Sequence, residues 1–283
     1  MPDASKAVLV TGCSSGIGHA TAEHLVDRGW TVYATARRAE SIEDLARKGC
    51  NTLALDVTDE TSMQSAVAAV EQAEGAVGVL VNNAGYSQGG AVETVPLDVV
   101  RRQFETNVFG LVRMCQLALP GMRRQGWGRI VNISSMGGKL VFPGGGAYHA
   151  TKHAVEAFSD ALRYEVSGFG VKVVIIEPGL IKTKFGEVGA ASVEETEADG
   201  PYAEFNAEVA KATAGVYEGG GLAKLGAGPE AVAEKIEKAI TSSRPKPRYA
   251  VTPSAHLAMG QRRLMTDRMW DRVMGTQFPR PGG

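Results

Sequence analysis

The segment Ala7-Val8-Leu9-Val10-Thr11-Gly12-Cys13-Ser14-Ser15-Gly16-Ile17-Gly18 decides the fold class. Ala7 to Val10 is a short apolar run, the pattern of a strand buried on both faces of a parallel sheet. Helical periodicity follows through Arg28. Strand, glycine-rich turn and helix, in that order, form the context a dinucleotide fingerprint requires. Glycines let the backbone approach a pyrophosphate, whose charge sits at the positive end of the helix. The spacing here is G-x-x-x-G-x-G rather than G-x-G-x-x-G. A tight strand-to-helix turn with no ligand is the plainer alternative.

Working outward, residues 30–36 read as a second strand. In the usual fingerprint an acid near its end binds the ribose 2′-hydroxyl. Ala36 takes that place, followed by Arg37 and Arg38. Two guanidinium groups without a carboxylate suit a 2′-phosphate, so NADP is expected over NAD. Residues 51–55 form a third strand that ends at Asp56-Val57. Asp56 could accept from an adenine amino group or cap the helix starting near Asp59. Residues 77–81 form a fourth strand leading into Asn82-Asn83-Ala84-Gly85. These asparagines can tie neighbouring strands, while Ala84 and Gly85 leave room for a ring or ribose. A long helix is expected over 97–124. Asn107 lies inside it, either as a functional asparagine or as a satisfied core one.

Residues 128–135 read as a fifth strand with Ser135 at its carboxyl end, where ligands bind in open α/β sheets. Tyr148 and Lys152 follow in Tyr148-His149-Ala150-Thr151-Lys152. If helical, they lie at i and i+4 on one face. An ammonium within about 4–6 Å lowers a phenol pKa from about 10, typically by about 1–3. Such a tyrosine can exchange a proton with a substrate oxygen near neutral pH. Taken alone the spacing is common, and an ordinary surface Tyr and Lys would also satisfy it. Residues 171–176 form a sixth strand closed by Pro178, Gly179, Leu180, Ile181, Lys182 and Thr183. Backbone groups and Thr183 there can meet a carboxamide.

Residues 184–228 are rich in Ala, Gly and Glu, with poor periodicity until Tyr202–Tyr217. They read as a mobile substrate flap. A helix with Pro229 at its start precedes a last strand at 248–251. Residues 255–275 read as one amphipathic helix with a methionine stripe. Residues 244–283 form a C-terminal extension of the same single domain, 1–283.

Composition narrows the class. The chain has 283 residues, 44% of them hydrophobic, a formal net charge of −1 and 35 glycines. The charge gives no reason to expect nucleic acid as a partner. The glycine content exceeds the ordinary level of about 7% and fits tight turns near a ligand. Cys13, Cys50 and Cys115 show neither metal spacing nor a disulfide framework, so no metal is expected. No apolar run reaches the roughly 18–20 residues of a membrane span, and the first strand begins near Lys6. A soluble cytoplasmic protein is the expectation.

Taken together, TGCSSGIG at 11–18, Asp56, NNAG at 82–85, Asn107, Ser135, YHATK at 148–152 and PGLIKT at 178–183 resemble the short-chain dehydrogenase/reductase family, in its order and spacing. The resemblance covers about residues 5–185. The tail more loosely resembles 17β-hydroxysteroid and retinol dehydrogenase-like members. It implies one Rossmann-type, doubly wound domain with a seven-stranded parallel sheet, helices on both faces and NAD(P)(H) at the switch point. It implies Tyr148 as general acid/base, Ser135 holding the substrate oxygen, Lys152 lowering the Tyr148 pKa and, like Tyr148, contacting the cofactor by binding the nicotinamide ribose, and Asn107 holding a water that links Lys152 to solvent. Gly12, Ser14, Ser15, Gly16, Ile17 and Gly18 would hold the pyrophosphate, and Arg37 the 2′-phosphate. Asp56 with Val57 would meet adenine, Asn83, Ala84 and Gly85 the ribose region, and Pro178, Gly179, Ile181 and Thr183 the nicotinamide amide. Family members are often homodimers or homotetramers. Phe142, Pro143, Phe185 and the Met-rich tail suggest a lipophilic alcohol or ketone, steroid-like or retinoid-like. A 3-oxoacyl thioester or small polyol, or a non-catalytic NADP-sensing role, are the alternatives.

Overall fold

A computed structural model describes residues 4–194, 200–215 and 224–281. Among them the strands are β1 (Val8–Val10), β2 (Val32–Ala36), β3 (Asn51–Ala54), β4 (Val79–Asn82), β5 (Gly128–Ile133), β6 (Val171–Pro178) and β7 (Arg248–Val251). They form one sheet in the order β3-β2-β1-β4-β5-β6-β7, and every pairing is parallel. The order reverses between β1 and β4. Parallel strands need crossover helices, and these cover both faces.

The helices are α1 (Gly16–Asp27), α2 (Glu43–Arg47), α3 (Glu60–Glu74), α4 (Leu97–Phe104), α5 (Gly110–Gln125), α6 (Gly146–Glu165), α7 (Phe185–Glu194), α8 (Ala203–Gly215), α9 (Glu230–Thr241), α10 (Pro253–Leu264) and α11 (Asp267–Gly275). The two-residue strand period divides the core. Val8 and Val10 face one side with Leu25 of α1 and Ile236 of α9. Leu9 and Leu80 face the other with Val67 of α3 and Met114 of α5.

Three sequence expectations change. The helix read over 97–124 is interrupted by a π turn at Glu105–Phe109, which holds Asn107. The single helix read over 255–275 is two. Met265 is extended, and the Thr266 side chain caps α11 by accepting from the Met269 amide. Its apolar stripe also divides. Trp270 and Met274 are buried with Leu140, whereas Leu257, Leu264 and Met269 are exposed. The described parts of 184–228 include α7 and α8 rather than irregular chain. The remainder of that expectation, residues 195–199 and 216–223 with Tyr217 among them, lies outside the described residues.

Polar side chains cross the buried strand ends in one chain. Asn82 on β4 donates to Asn132 on β5 at 2.9 Å, and Asn132 donates to Ser159 on α6 at 2.8 Å. Each group would be costly to bury alone, by about 1–3 kcal/mol. Replacing Asn132 with Ala removes its bonds to Asn82 and Ser159, leaving Asn82 Nδ2 with the Cys115 sulfur at 3.2 Å, and should lower the urea-extrapolated unfolding free energy by about 2 kcal/mol. An unchanged transition midpoint would mean that the chain of amides carries no stability.

Candidate active site

The carboxyl ends of β1, β4, β5 and β6 share one edge of the sheet, because neighbours in a parallel sheet end together. At β1 the chain turns through Gly12, whose φ is +73°. A Cβ there would fall 2.8 Å from the Ala84 Cα, so only glycine admits this approach. The Asn83 side-chain amide donates to the carbonyls of Thr11 (2.9 Å) and Gly12 (3.0 Å). In return the Thr11 hydroxyl accepts from the amides of Asn83 (3.0 Å) and Ala84 (2.9 Å). The glycine turn and the end of β4 are therefore one hydrogen-bonded unit. Asn83, expected to meet the ribose region, has its side-chain amide engaged in holding the turn.

The helix α1 opens at Gly16 behind Ser15. The Ser15 side chain makes no capping bond, and the first turn carries no acid. Its leading N–H groups, those of Gly16, Ile17 and Gly18, thus rely on an acceptor outside the helix. Ser14 and Ser15 are exposed beside them. Positive amide dipoles, absent side chains and an open rim fit a bound pyrophosphate.

At the end of β2, Ala36 is buried while Arg37 and Arg38 are exposed. Neither arginine takes part in an ion pair among the described residues. Past β3, Asp56 Oδ1 accepts from the Thr58 amide (2.9 Å) and hydroxyl (2.7 Å). The cap of α3 is Asp59, which accepts from the Ser62 amide at 2.9 Å, so Asp56 does not cap that helix. Val57 is buried against Gly110.

Ser135 stands two residues past β5 and starts a 3-10 turn at Met136–Gly138, accepting from the Gly137 amide at 3.0 Å. Tyr148 and Lys152 are on α6, as their spacing requires. Tyr148 is half-buried and Lys152 is buried. The Lys152 ammonium donates to the Ile133 carbonyl at 2.9 Å and lies 5.7 Å from the centre of the Tyr148 ring. Burial brings the Lys152 pKa down to about 8, and the negative field of Glu156 works against that fall. At that value the group still carries its charge in most molecules at neutral pH.

Asn107 resolves as a satisfied buried asparagine at a strategic place. Its Oδ1 accepts from the Tyr86 amide (3.1 Å), and its Nδ2 donates to the Tyr86 carbonyl (2.9 Å) and to Thr151 (3.1 Å). It joins the loop after β4 to α6. Gly85 lies against it, since a Cβ there would stand 3.0 Å from Asn107 Oδ1.

Pro178 ends β6, and the Gly179 amide donates to Val251 at 3.0 Å. Ile181 bridges to Ala227. Thr183 is brought back onto the glycine turn, its methyl 3.3 Å from where a Gly16 Cβ would be. Phe185 meets the Tyr148 ring edge-on at 5.5 Å, and Phe142 lies between His149 (5.9 Å) and Trp270 (6.1 Å). Burial lowers the His149 pKa to about 4, so that ring is neutral.

Three contributors were not singled out from sequence: Thr11, Thr151 and the Ile133 carbonyl. Thr11 had a signal, a hydroxyl at a strand end beside the turning glycine. The carbonyl had none, because every residue carries one.

The sequence profile for "short chain dehydrogenase" matches residues 6–192. The chain is 36% identical over 270 residues to an uncharacterized oxidoreductase, YbbO, of Escherichia coli, covering 95% of this chain and 94% of that one. It is 38% identical over 275 residues to an NADPH-dependent 3-dehydrocapnine reductase of Ornithobacterium rhinotracheale, covering 94% of each. A solved short-chain dehydrogenase from Streptomyces avermitilis superposes with a TM-score of 0.77 at 36% identity, covering 96% of this chain and 98% of that one. A glycine turn locked to β4, a serine past β5 and a Tyr-Lys helix facing it thus sit in a chain whose relatives match it nearly end to end, and the chain belongs to the short-chain dehydrogenase/reductase family of NAD(P)-dependent oxidoreductases.

Proposed function

We propose that this protein is an NADP(H)-dependent oxidoreductase that interconverts a secondary alcohol and its carbonyl on a lipophilic substrate, with Tyr148 as general acid/base. One observation carries the reading: a buried ammonium, Lys152, held 5.7 Å from the ring of Tyr148. A positive charge at that range favours the phenolate over the phenol. Tyr148 can then give a proton to a substrate oxygen in reduction, or take one in oxidation, near neutral pH.

The other residues divide the remaining work. Ser135 donates its hydroxyl to the same substrate oxygen and fixes its position. The first-turn amides of α1, with Ser14 and Ser15, hold the pyrophosphate of the coenzyme, and Thr183 with Ile181 orients its carboxamide. A bound nicotinamide coenzyme supplies or accepts the hydride. Lys152 hydrogen-bonds the coenzyme's ribose as well as biasing Tyr148. Asn107 has spent its side chain on Tyr86 and Thr151. A water linking Lys152 to solvent would therefore bond the main chain of Asn107, within the widened π turn.

Coenzyme preference rests on Ala36 and Arg37. A buried methyl replaces the acid that would repel a 2′-phosphate, and an exposed guanidinium with no ion pair among the described residues stands next to it. The relative named as NADPH-dependent has the same coenzyme in its name. The lipophilic substrate rests on Phe185, edge-on to Tyr148, and on the apolar cluster of Leu140, Phe142, Trp270 and Met274.

In Tyr148→Phe, kcat should fall by about 10²–10⁴ while the dissociation constant for NADPH, read by fluorescence, stays near that of the parent. Turnover close to the parent's would remove Tyr148 from the mechanism. In Arg37→Asp, the ratio of kcat/KM for NADPH over NADH should drop by at least about tenfold, the worth of a lost charged hydrogen bond. A constant ratio would put recognition of the 2′-phosphate elsewhere.

A further inference from the structure

Two carboxylates behind the Tyr-Lys helix are buried, and the mechanism above does not use them. Glu156 is on α6, one turn beyond Lys152. Glu177 is on β6, just before Pro178. Each is 4% exposed. Two cations lie between them. Lys139 Nζ is 2.7 Å from Glu156 Oε2 and 3.9 Å from Glu177 Oε1. Arg248 Nε is 3.0 Å and 3.5 Å from the same two oxygens. Arg248 also bonds Asp160, which is paired in turn with Arg163.

Three carboxyls, Glu156, Glu177 and Asp160, stand against three cations, Lys139, Arg248 and Arg163, so formal charge alone asks for no proton. Glu156 Oε1 and Glu177 Oε1 are both buried without a hydrogen-bond partner. A buried oxygen in that state is expensive, and a proton on the Glu177 carboxyl, which is within hydrogen-bonding reach of Glu156, relieves that cost. Burial first, and then repulsion from Glu156, push the Glu177 carboxyl up to about 7, while Lys139 and Arg248 pull the other way.

The cluster's position gives it consequence. Lys139 follows the turn that Ser135 begins. Glu156 shares α6 with Tyr148 and Lys152, and its field already acts on Lys152. Glu177 precedes the 178–183 loop, and Arg248 opens β7. Four segments are thus fastened at one buried point, and three of them, the Ser135 turn, α6 and the strand before the 178–183 loop, carry or adjoin the proposed site residues.

We propose that Glu156 and Glu177 share one proton and act as positioning residues, holding the Ser135 turn, the Tyr148–Lys152 helix and the 178–183 loop in one register. This rests on the proposed roles of those three segments. When the shared proton leaves to solvent, a second negative charge is buried and the clamp loosens. The sign follows from the raised proton affinity. The stabilisation is complete below the ordinary glutamic acid range and is lost as pH rises through about 7.

The test combines infrared spectra, thermal midpoints and kinetics across pH 5.5–9 for the parent, Glu177→Gln and Glu156→Gln. The parent should show a protonated carboxyl C=O band at low pH that disappears as pH rises through neutrality. Both variants should lack the band. In Glu177→Gln the fall in thermal midpoint across neutrality should flatten. In Glu156→Gln the kcat should fall at least tenfold with the NADPH dissociation constant little changed, and the alkaline limb of the pH profile should move to lower pH, because Lys152 loses a neighbouring negative charge. No band in the parent, or a band that persists in both variants, overturns the shared proton and needs no variant to fold. An alkaline limb that does not move in Glu156→Gln overturns the link to Lys152. The spectra and midpoints require no turnover, so they fail or succeed separately from the assignment of Tyr148.

Discussion

A lysine ammonium inside a protein must be given a partner, because leaving it bare costs several kcal/mol. Lys152 meets that demand at one atom, the carbonyl of Ile133 at 2.9 Å. Ile133 is the last residue of β5, two before Ser135. The bond therefore sets where α6 meets the strand that delivers the serine. The same helix turn carries Tyr148, so the ring, the ammonium and the serine turn share one anchor. Half-burial of the ring keeps it open to a ligand, while full burial of the ammonium keeps its field from being screened.

The second constraint lies where the strand order reverses. In folds with this strand order the crossovers go to opposite faces there and leave a crevice, which is where their ligands bind. An open crevice needs walls that do not collapse. The Thr11 and Asn83 side chains supply them through four hydrogen bonds between the ends of β1 and β4, two between these residues, one to the Gly12 carbonyl and one from the Ala84 amide. Backbone can approach this closely only because Gly12 and Gly18 carry no side chain. The polar side chains of Thr11 and Asn83 are spent on this rigidity, while the first-turn amides of α1 have no side-chain cap.

Much of this could be read from the sequence. The strand-turn-helix at the start, the serine at a strand end and the Tyr-Lys spacing each carry local chemistry that one strand or one helix expresses. The structure departs where the answer depended on non-local partners, or on which of several equivalent local hydrogen bonds forms. The π turn at Asn107 follows from bonds to Tyr86 and Thr151, one of them far along the chain. The break between α10 and α11 follows from Thr266 accepting a hydrogen bond, a choice the amphipathic stripe alone does not reveal. Asp56 and Asp59 are both plausible caps by type, and only geometry separates them. The Glu156–Glu177 cluster was invisible for the same reason, since the two residues are ordinary charges until β6 lies beside α6.

The interaction at the centre of the site is between a buried ammonium and a phenol, and it is open to direct titration. Ultraviolet difference spectra of the protein with bound NADP+ would follow the rise of tyrosinate absorbance with pH, using Tyr148→Phe as the blank. A tyrosinate that forms well below the ordinary phenol value of about 10, is absent from the blank and moves back toward that value in Lys152→Met is the expected result. A Tyr148 that stays protonated up to the ordinary value, with or without Lys152, would contradict the role given to both residues.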